Sequence, residues 1–90
     1  MHVVIEFNKS AFKHGVTKEN IRWAINHHLY DGPMEGHDNK YIVIGFDANA
    51  NLLEVMYNIT AGNAINIFHA MPCRELFFPY INYSQEARPE

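Results

Sequence analysis

The sequence predicts a small α+β domain in which helices pack on one face of an antiparallel β-sheet. A β-branched apolar run opens the chain, and an amphipathic helical pattern follows it. Three further strand-like runs are then separated by two tight turns, which is typical of an antiparallel meander. A short C-terminal helix is predicted last, and helices segregated from a run of strands are typical of an α+β fold.

The length and composition predict one domain. At 90 residues the chain can bury a single core, so we expect this domain over residues 1–83 and a polar tail over residues 84–90. Apolar runs of only a few residues predict no membrane span, and residues 2–7 lack the basic leader of a signal peptide. A single cysteine, Cys73, excludes an internal disulfide and a multi-cysteine zinc site, which favours a reduced, cytoplasmic protein.

The N-terminal third is predicted to form one strand and a helical region. Residues 3–7 form the first strand, and residues 10–14 form a short helical turn that ends at Gly15. Thr17 is a good N-cap for a second helix. The residues that share one face of that helix are Ile21, Ala24, Ile25 and His28.

A loop and the meander follow. Residues 31–39 are rich in glycine and short polar side chains, so a mobile loop is predicted. Strands are predicted over residues 41–46, 52–59 and 64–70, with turn-forming residues between them.

The C-terminal helix is predicted to begin at Pro72, because proline fits the first helical position. Pro79 is expected to end or kink it after about two turns. Cys73 at this helix start has two interpretations, an activated thiol or a small buried apolar side chain, and we favour the second.

Charge and histidine spacing exclude several function classes. Seven basic and ten acidic residues give a net charge of −3, which disfavours a strongly basic nucleic-acid binder but allows a local basic face. The adjacent pair His27 and His28 would diverge on a helix, and His2 and His37 are isolated, so no metal site is predicted. No glycine-rich phosphate-binding motif occurs.

Two segments contain candidate catalytic residues. Lys13 and His14 precede a helix start, while His69 ends a strand and Arg74 enters the next helix. If these four side chains converge, the cations can hold a phosphodiester while a histidine moves a proton. The alternative interpretations stay open. Strict alternation places His69 on the same sheet face as Ile67, which is typical of a core or sheet-face histidine. For Lys13 and Arg74 the alternative is an ordinary solvated charge.

The run Lys13-His14-Gly15-Val16, followed by an amphipathic helix, resembles the "KHGV" element of BrnT-type toxins, which belong to type II toxin–antitoxin systems and have a RelE-like ribonuclease fold. The resemblance extends over the meander and the last strand and helix, from about Val3 to Tyr80. It implies a RelE-like fold and RNA cleavage.

The sequence departs from the family in its last strand. Asn66 and Met71 stand where the family has arginines, and His69 stands where it has serine. If those arginines stabilise the phosphate in the transition state, two positive charges are missing. The residues that remain as catalytic candidates are His69, Arg74, Lys13 and His14.

The resemblance implies a toxin that cleaves RNA, on the ribosome or free, without metal or cofactor and in the cytoplasm, with a cognate antitoxin as partner. The alternative is a non-catalytic domain of the same fold that binds an antitoxin or regulator, with aromatic anchors at Trp23, Phe77, Phe78 and Tyr80. A metal-binding or small-molecule-binding domain ranks third.

Overall fold

The computed structural model describes residues 3–86, with side chains through residue 82. No helix in this part of the chain is long and apolar enough to cross a bilayer. The elements, in chain order, are β1 (Val4–Phe7), a first 3₁₀ helix (Lys9–Phe12), α1 (Lys18–Asn26), β2 (His28–Pro33), β3 (Tyr41–Phe46), β4 (Leu52–Ala61), β5 (Ala64–Pro72), a second 3₁₀ helix (Glu75–Phe77) and α2 (Phe78–Glu86).

The α+β class is confirmed, and the strands form one mixed sheet in the order β1-β5-β4-β3-β2. Strands β2 to β5 make an antiparallel meander, which contains the three predicted strands. The prediction of a wholly antiparallel sheet is wrong for β1, which lies parallel to β5 with Ile5 opposite Ile65. Local turn signals predict hairpins between neighbouring runs, but they carry no information about a partner sixty residues away.

Helices pack on both faces of the sheet, so the prediction of helices on one face is wrong. β3 explains why, because its successive residues Ile42, Val43 and Ile44 are all buried and both faces of the sheet must therefore be covered. The first cluster lies under α1 and contains Ala11, Ile21, Ala24, Val43, Leu53, Val55, Ile67 and Ala70. The second lies under the C-terminal helices and contains Met34, Ile42, Ile44, Met56 and Phe77.

Helix α1 begins where predicted and ends earlier. Thr17 Oγ1 accepts a hydrogen bond of 3.2 Å from the backbone three residues on, which confirms the N-cap. The helix stops before His28, which starts β2, so its predicted place on the helical face is wrong. The ring nitrogens of His27 and His28 contact the carbonyls of Trp23 and Ile25 at 2.9 and 2.7 Å, and these contacts satisfy the last helical turn.

The predicted loop over residues 31–39 is wrong in its first part, because β2 continues through Pro33. Asp31 lies opposite Val43, and its carboxylate accepts a hydrogen bond of 2.8 Å from the Tyr57 hydroxyl. β2 is an edge strand, and edge strands tolerate the glycine and proline that the sequence interpretation took as loop signals.

The C-terminal helix begins later than predicted. Pro72 is the last residue of β5 and pairs with Leu53, so Cys73 precedes the helical region. Pro79 is the second residue of α2, where a missing N–H costs nothing, and it therefore neither ends nor kinks the helix. α2 includes the first residues of the predicted polar tail, and residues 87–90 lie outside the described part.

Candidate active site

A β-bulge in β5 decides where His69 points. Met56 lies opposite His69, whereas the next residue of β4, Tyr57, lies opposite Ile67. Phe68 is therefore an extra residue in β5. Strict alternation predicts His69 on the face of Ile67, and this prediction is wrong because the extra residue moves His69 to the face of Met56.

The first 3₁₀ helix supports this bulge. β1 ends at Phe7, so the second half of β5 has no parallel neighbour. The Asn8 N–H donates to the Ile67 carbonyl at 2.8 Å, and the Ser10 hydroxyl donates to the Phe68 carbonyl at 2.5 Å. Backbone acceptors that the sheet leaves free are thus satisfied by the segment that follows β1.

A buried carboxylate lies beside His69. Glu54 belongs to β4, its side chain is 0% exposed, and its Oε2 contacts His69 Nε2 at 2.9 Å. The same oxygen accepts a hydrogen bond of 2.6 Å from Nη2 of Arg74. Glu54 therefore links two of the predicted catalytic residues and was not itself among those predicted.

Arg74 holds Glu54 with its backbone and its side chain. Its backbone N–H donates to Oε1 at 2.9 Å, and its Nε lies 3.1 and 3.2 Å from the two carboxylate oxygens. The guanidinium also lies over the Phe77 ring, 5.2 Å from its centroid. The Arg74 side chain is 46% exposed, so its charge is held in place yet remains open to a ligand.

These contacts keep Glu54 ionised. Burial by itself would raise the pKa of the Glu54 carboxyl, but hydrogen bonds from the Arg74 side chain and backbone and from His69 hold that pKa below its ordinary value. The hydrogen bond to Glu54 in turn raises the pKa of Arg74. The result is an ion pair between a buried carboxylate and a half-exposed guanidinium.

The carboxylate also sets the tautomer of His69. An ionised carboxylate only accepts hydrogen bonds, so Nε2 of His69 carries the proton in this contact and Nδ1 is left as a proton acceptor. The His69 side chain is 21% exposed, so a substrate can reach it. The His14 ring meets the His69 ring edge-on, with 5.6 Å between the centroids.

Three of the four predicted site residues therefore come together. His69 and Arg74 both contact Glu54, and the His14 ring contacts the His69 ring, so Arg74 is not an ordinary solvated charge. Lys13 is exposed just after the first 3₁₀ helix, and neither Lys13 nor His14 is among the described residues that line the cleft beside His69. A catalytic role for Lys13 stays a prediction.

The site opens into a cleft of about 660 Å³ between the bulge and the C-terminal helical region. Lys40 lies in it with its Nζ 6.0 Å from the Phe68 ring centroid, and His37 lines it as well. None of the described lining residues is acidic. They are Ser10, Met34, His37, Lys40, Met56, Phe68, His69, Arg74, Leu76 and Phe77.

A sequence signal existed for Glu54 but not for the cleft cations. Glu54 interrupts an apolar strand on the face shared by Met56, and a carboxylate at a core-facing position needs a partner. The path of the loop before β3 places Lys40 and His37, and no spacing rule predicts that path.

Among the described residues, Cys73 and the histidines form neither an activated thiol nor a metal site. Cys73 is half-buried, and burial together with the nearby Glu54 raises the pKa of its thiol to about 11, so the activated-thiol interpretation is wrong. Within the described residues, no three histidine, cysteine or acidic side chains are grouped so that they could hold a metal ion.

No protein-family model, curated protein or solved structure matches the chain. The arrangement of Glu54, His69 and Arg74 must therefore be interpreted from its own geometry.

Proposed function

We propose that this protein is a metal-independent endoribonuclease of the RelE/BrnT-like toxin type. One observation carries the proposal. A buried carboxylate, Glu54, holds an imidazole and a guanidinium at the wall of a cleft whose described lining contains no acidic residue. This combination suits a phosphodiester, since the phosphate meets positive charge and a group that can move a proton.

The reaction is a transphosphorylation within RNA. The 2′-hydroxyl gives its proton to Nδ1 of His69, and its oxygen forms a bond to the adjacent phosphorus. The bond from phosphorus to the 5′-oxygen breaks with its electron pair, and that oxygen takes a proton from the His14 imidazolium. The products are a 2′,3′-cyclic phosphate and a 5′-hydroxyl, so no redox partner is needed.

Each residue has a separate contribution. Glu54 orients His69 and stabilises the imidazolium that forms when the proton arrives. Arg74 offers the part of its guanidinium that faces the cleft to the charge that develops on the phosphate. Proton transfer by a positioned side chain contributes about 10²–10⁴ in rate, and a preorganised donor about 10²–10³.

The proposal predicts growth arrest when the protein is expressed, and loss of the arrest in a His69→Ala, Arg74→Ala double variant. Because Arg74→Ala removes a partner of buried Glu54, a single variant, His69→Gln, is included. Glutamine can still donate to Glu54 but cannot take up a proton. We expect at least a hundredfold loss of RNA cleavage with His69→Gln.

His27→Gln is the matched control, since His27 is exposed and lies outside the cleft, and glutamine can still donate to the Trp23 carbonyl. Circular dichroism establishes that each variant is folded. Arrest or cleavage that persists in folded His69→Gln would overturn the catalytic proposal.

The proposal includes a RelE-like fold identity, a cognate antitoxin and a cytoplasmic location. The alternative of a non-catalytic binding domain has less support. Its proposed anchors do not form one patch, because Phe77 is only 7% exposed, while exposed Trp23 and Phe78 belong to helices on opposite faces of the sheet.

A further inference from the structure

Hydrogen bonds and a buried side chain hold the two ends of the loop between β2 and β3, which was predicted to be mobile. The Met34 N–H donates to the Lys40 carbonyl at 2.8 Å, and the Met34 side chain is buried in the second cluster. The Asn39 side chain makes two hydrogen bonds of 2.9 Å to the backbone of Ile59, one with its N–H and one with its carbonyl. The loop is therefore attached to the sheet at both ends.

This attachment holds Lys40 and His37 at the cleft. Lys40 lies over the ring of Phe68, the bulged residue next to His69. Because Phe68 and His69 are consecutive, the ammonium group lies one residue along β5 from the proposed catalytic imidazole. His37 lines the same cleft. The lysine and the arginine of the cleft therefore have different neighbours, because Arg74 is paired with Glu54 beside His69 whereas Lys40 lies over Phe68.

The charge of the cleft differs from that of the whole chain. The chain has a net charge of −3, yet the described cleft lining contains one lysine, one arginine and two histidines without an aspartate or glutamate. Glu54, directly beneath, is fully buried and already paired with Arg74. The excess positive charge at Lys40 therefore has no acidic partner among the lining residues and suits an anionic ligand.

We propose that Lys40 and His37 form a second phosphate-binding subsite, so that the cleft takes two successive phosphates of a single-stranded RNA. This rests on the proposed function, which places the reacting phosphate at His69 and Arg74. Apolar side chains also line the cleft, among them Phe68 and Met56. Unpaired bases can contact such a surface, whereas the bases of a duplex are stacked and paired.

The test uses 2′-O-methylated oligouridylates without terminal phosphates, because they lack the nucleophilic hydroxyl and cannot be cleaved. A dinucleotide has one phosphate and a trinucleotide has two. Binding of each to the full chain is followed by NMR titration. We expect the wild-type protein to bind the trinucleotide more tightly than the dinucleotide, and Lys40→Gln to lose roughly fivefold in trinucleotide affinity only.

Lys18→Gln is the matched control, because Lys18 also lies over a phenylalanine ring, that of Phe7, but outside the cleft. It should bind both probes like the wild type. Equal trinucleotide binding by Lys40→Gln and Lys18→Gln would overturn the subsite, and so would an equal loss on both probes by Lys40→Gln.

The two proposals fail separately. If the subsite is wrong but the protein is a nuclease, Lys40→Gln binds normally while His69→Gln still abolishes cleavage. If the nuclease proposal is wrong, neither the wild type nor any variant cleaves RNA, whether or not the oligonucleotides bind.

Discussion

The two faces of the sheet use the same central strands and are closed in different ways. The face under α1 is covered by a continuous apolar cluster that includes Ala11, Ala24 and Val55. The opposite face is covered only in part, by Phe77 and α2, and it contains the fully buried carboxylate of Glu54. The first face is closed by apolar packing. The second face is stabilised in part by the ion pair of Glu54 with Arg74, and a cleft stays open there.

Gly45 shows how tight the first face is. A Cβ added there would lie 2.5 Å from the Ala24 carbonyl oxygen and 3.0 Å from the His28 Cα. Both atoms are backbone, so only a shift of α1 or of the start of β2 could make room.

The largest effect is therefore expected from Gly45→Ala, which should lower the free energy of unfolding by about 3 kcal/mol. Urea denaturation followed by circular dichroism measures the change. Gly36→Ala is the control, because nothing lies within 4 Å of its added Cβ and only its φ of +79° is strained. That strain should cost about 1 kcal/mol. Equal losses in the two variants would show that α1 does not press on the sheet at Gly45.

On the second face, Glu54→Gln should cost about 2 kcal/mol at pH 7. The amide removes the negative charge and places an NH₂ group against the donors of Arg74 and His69. Because Arg74 is half-exposed, the loss of stability is smaller than that for breaking a fully buried ion pair. Folding lowers the pKa of Glu54, so the carboxylate stabilises the protein fully when the pH is above 4.5, the ordinary pKa of the group. This stabilisation is lost as the pH falls through the lower pKa of the folded state.

The difference in unfolding free energy between wild type and Glu54→Gln should accordingly be constant above about pH 5 and shrink in acid. Denaturation curves at several pH values measure it. Glu6→Gln, which changes an exposed glutamate of β1, should show neither the loss at pH 7 nor the pH dependence. A difference that grows in acid would contradict the sign of the Glu54 shift.

The smallest effect concerns the loop that borders the cleft. Asn39→Gly should destabilise the protein by about 1 kcal/mol, because two hydrogen bonds to Ile59 are lost while glycine accepts the φ of +49°. Asn39→Ala should cost more, since alanine also strains the backbone. Thermal unfolding compares the two. Wild-type stability in Asn39→Gly would mean that these hydrogen bonds do not hold the loop.

Much of the fold follows from local signals. The Thr17 cap, the left-handed Gly15 and the strands of the meander were predicted, because capping, turn formation and alternation depend on residues near each other in the chain. The end of α1 and the start of α2 were not predicted. Histidine contacts close the first helix, and the proline that suits a helix start is Pro79 rather than Pro72.

By itself, the sequence determined the α+β class and three of the residues that meet at the candidate site. Only the tertiary structure decided that β1 joins β5 in parallel, that one extra residue turns His69 toward Glu54, and that Lys40 faces the same cleft. The physical reason is the range of the interactions. Periodicity and capping act over a few residues, whereas register, bulges and buried ion pairs join segments that meet only when the chain is folded.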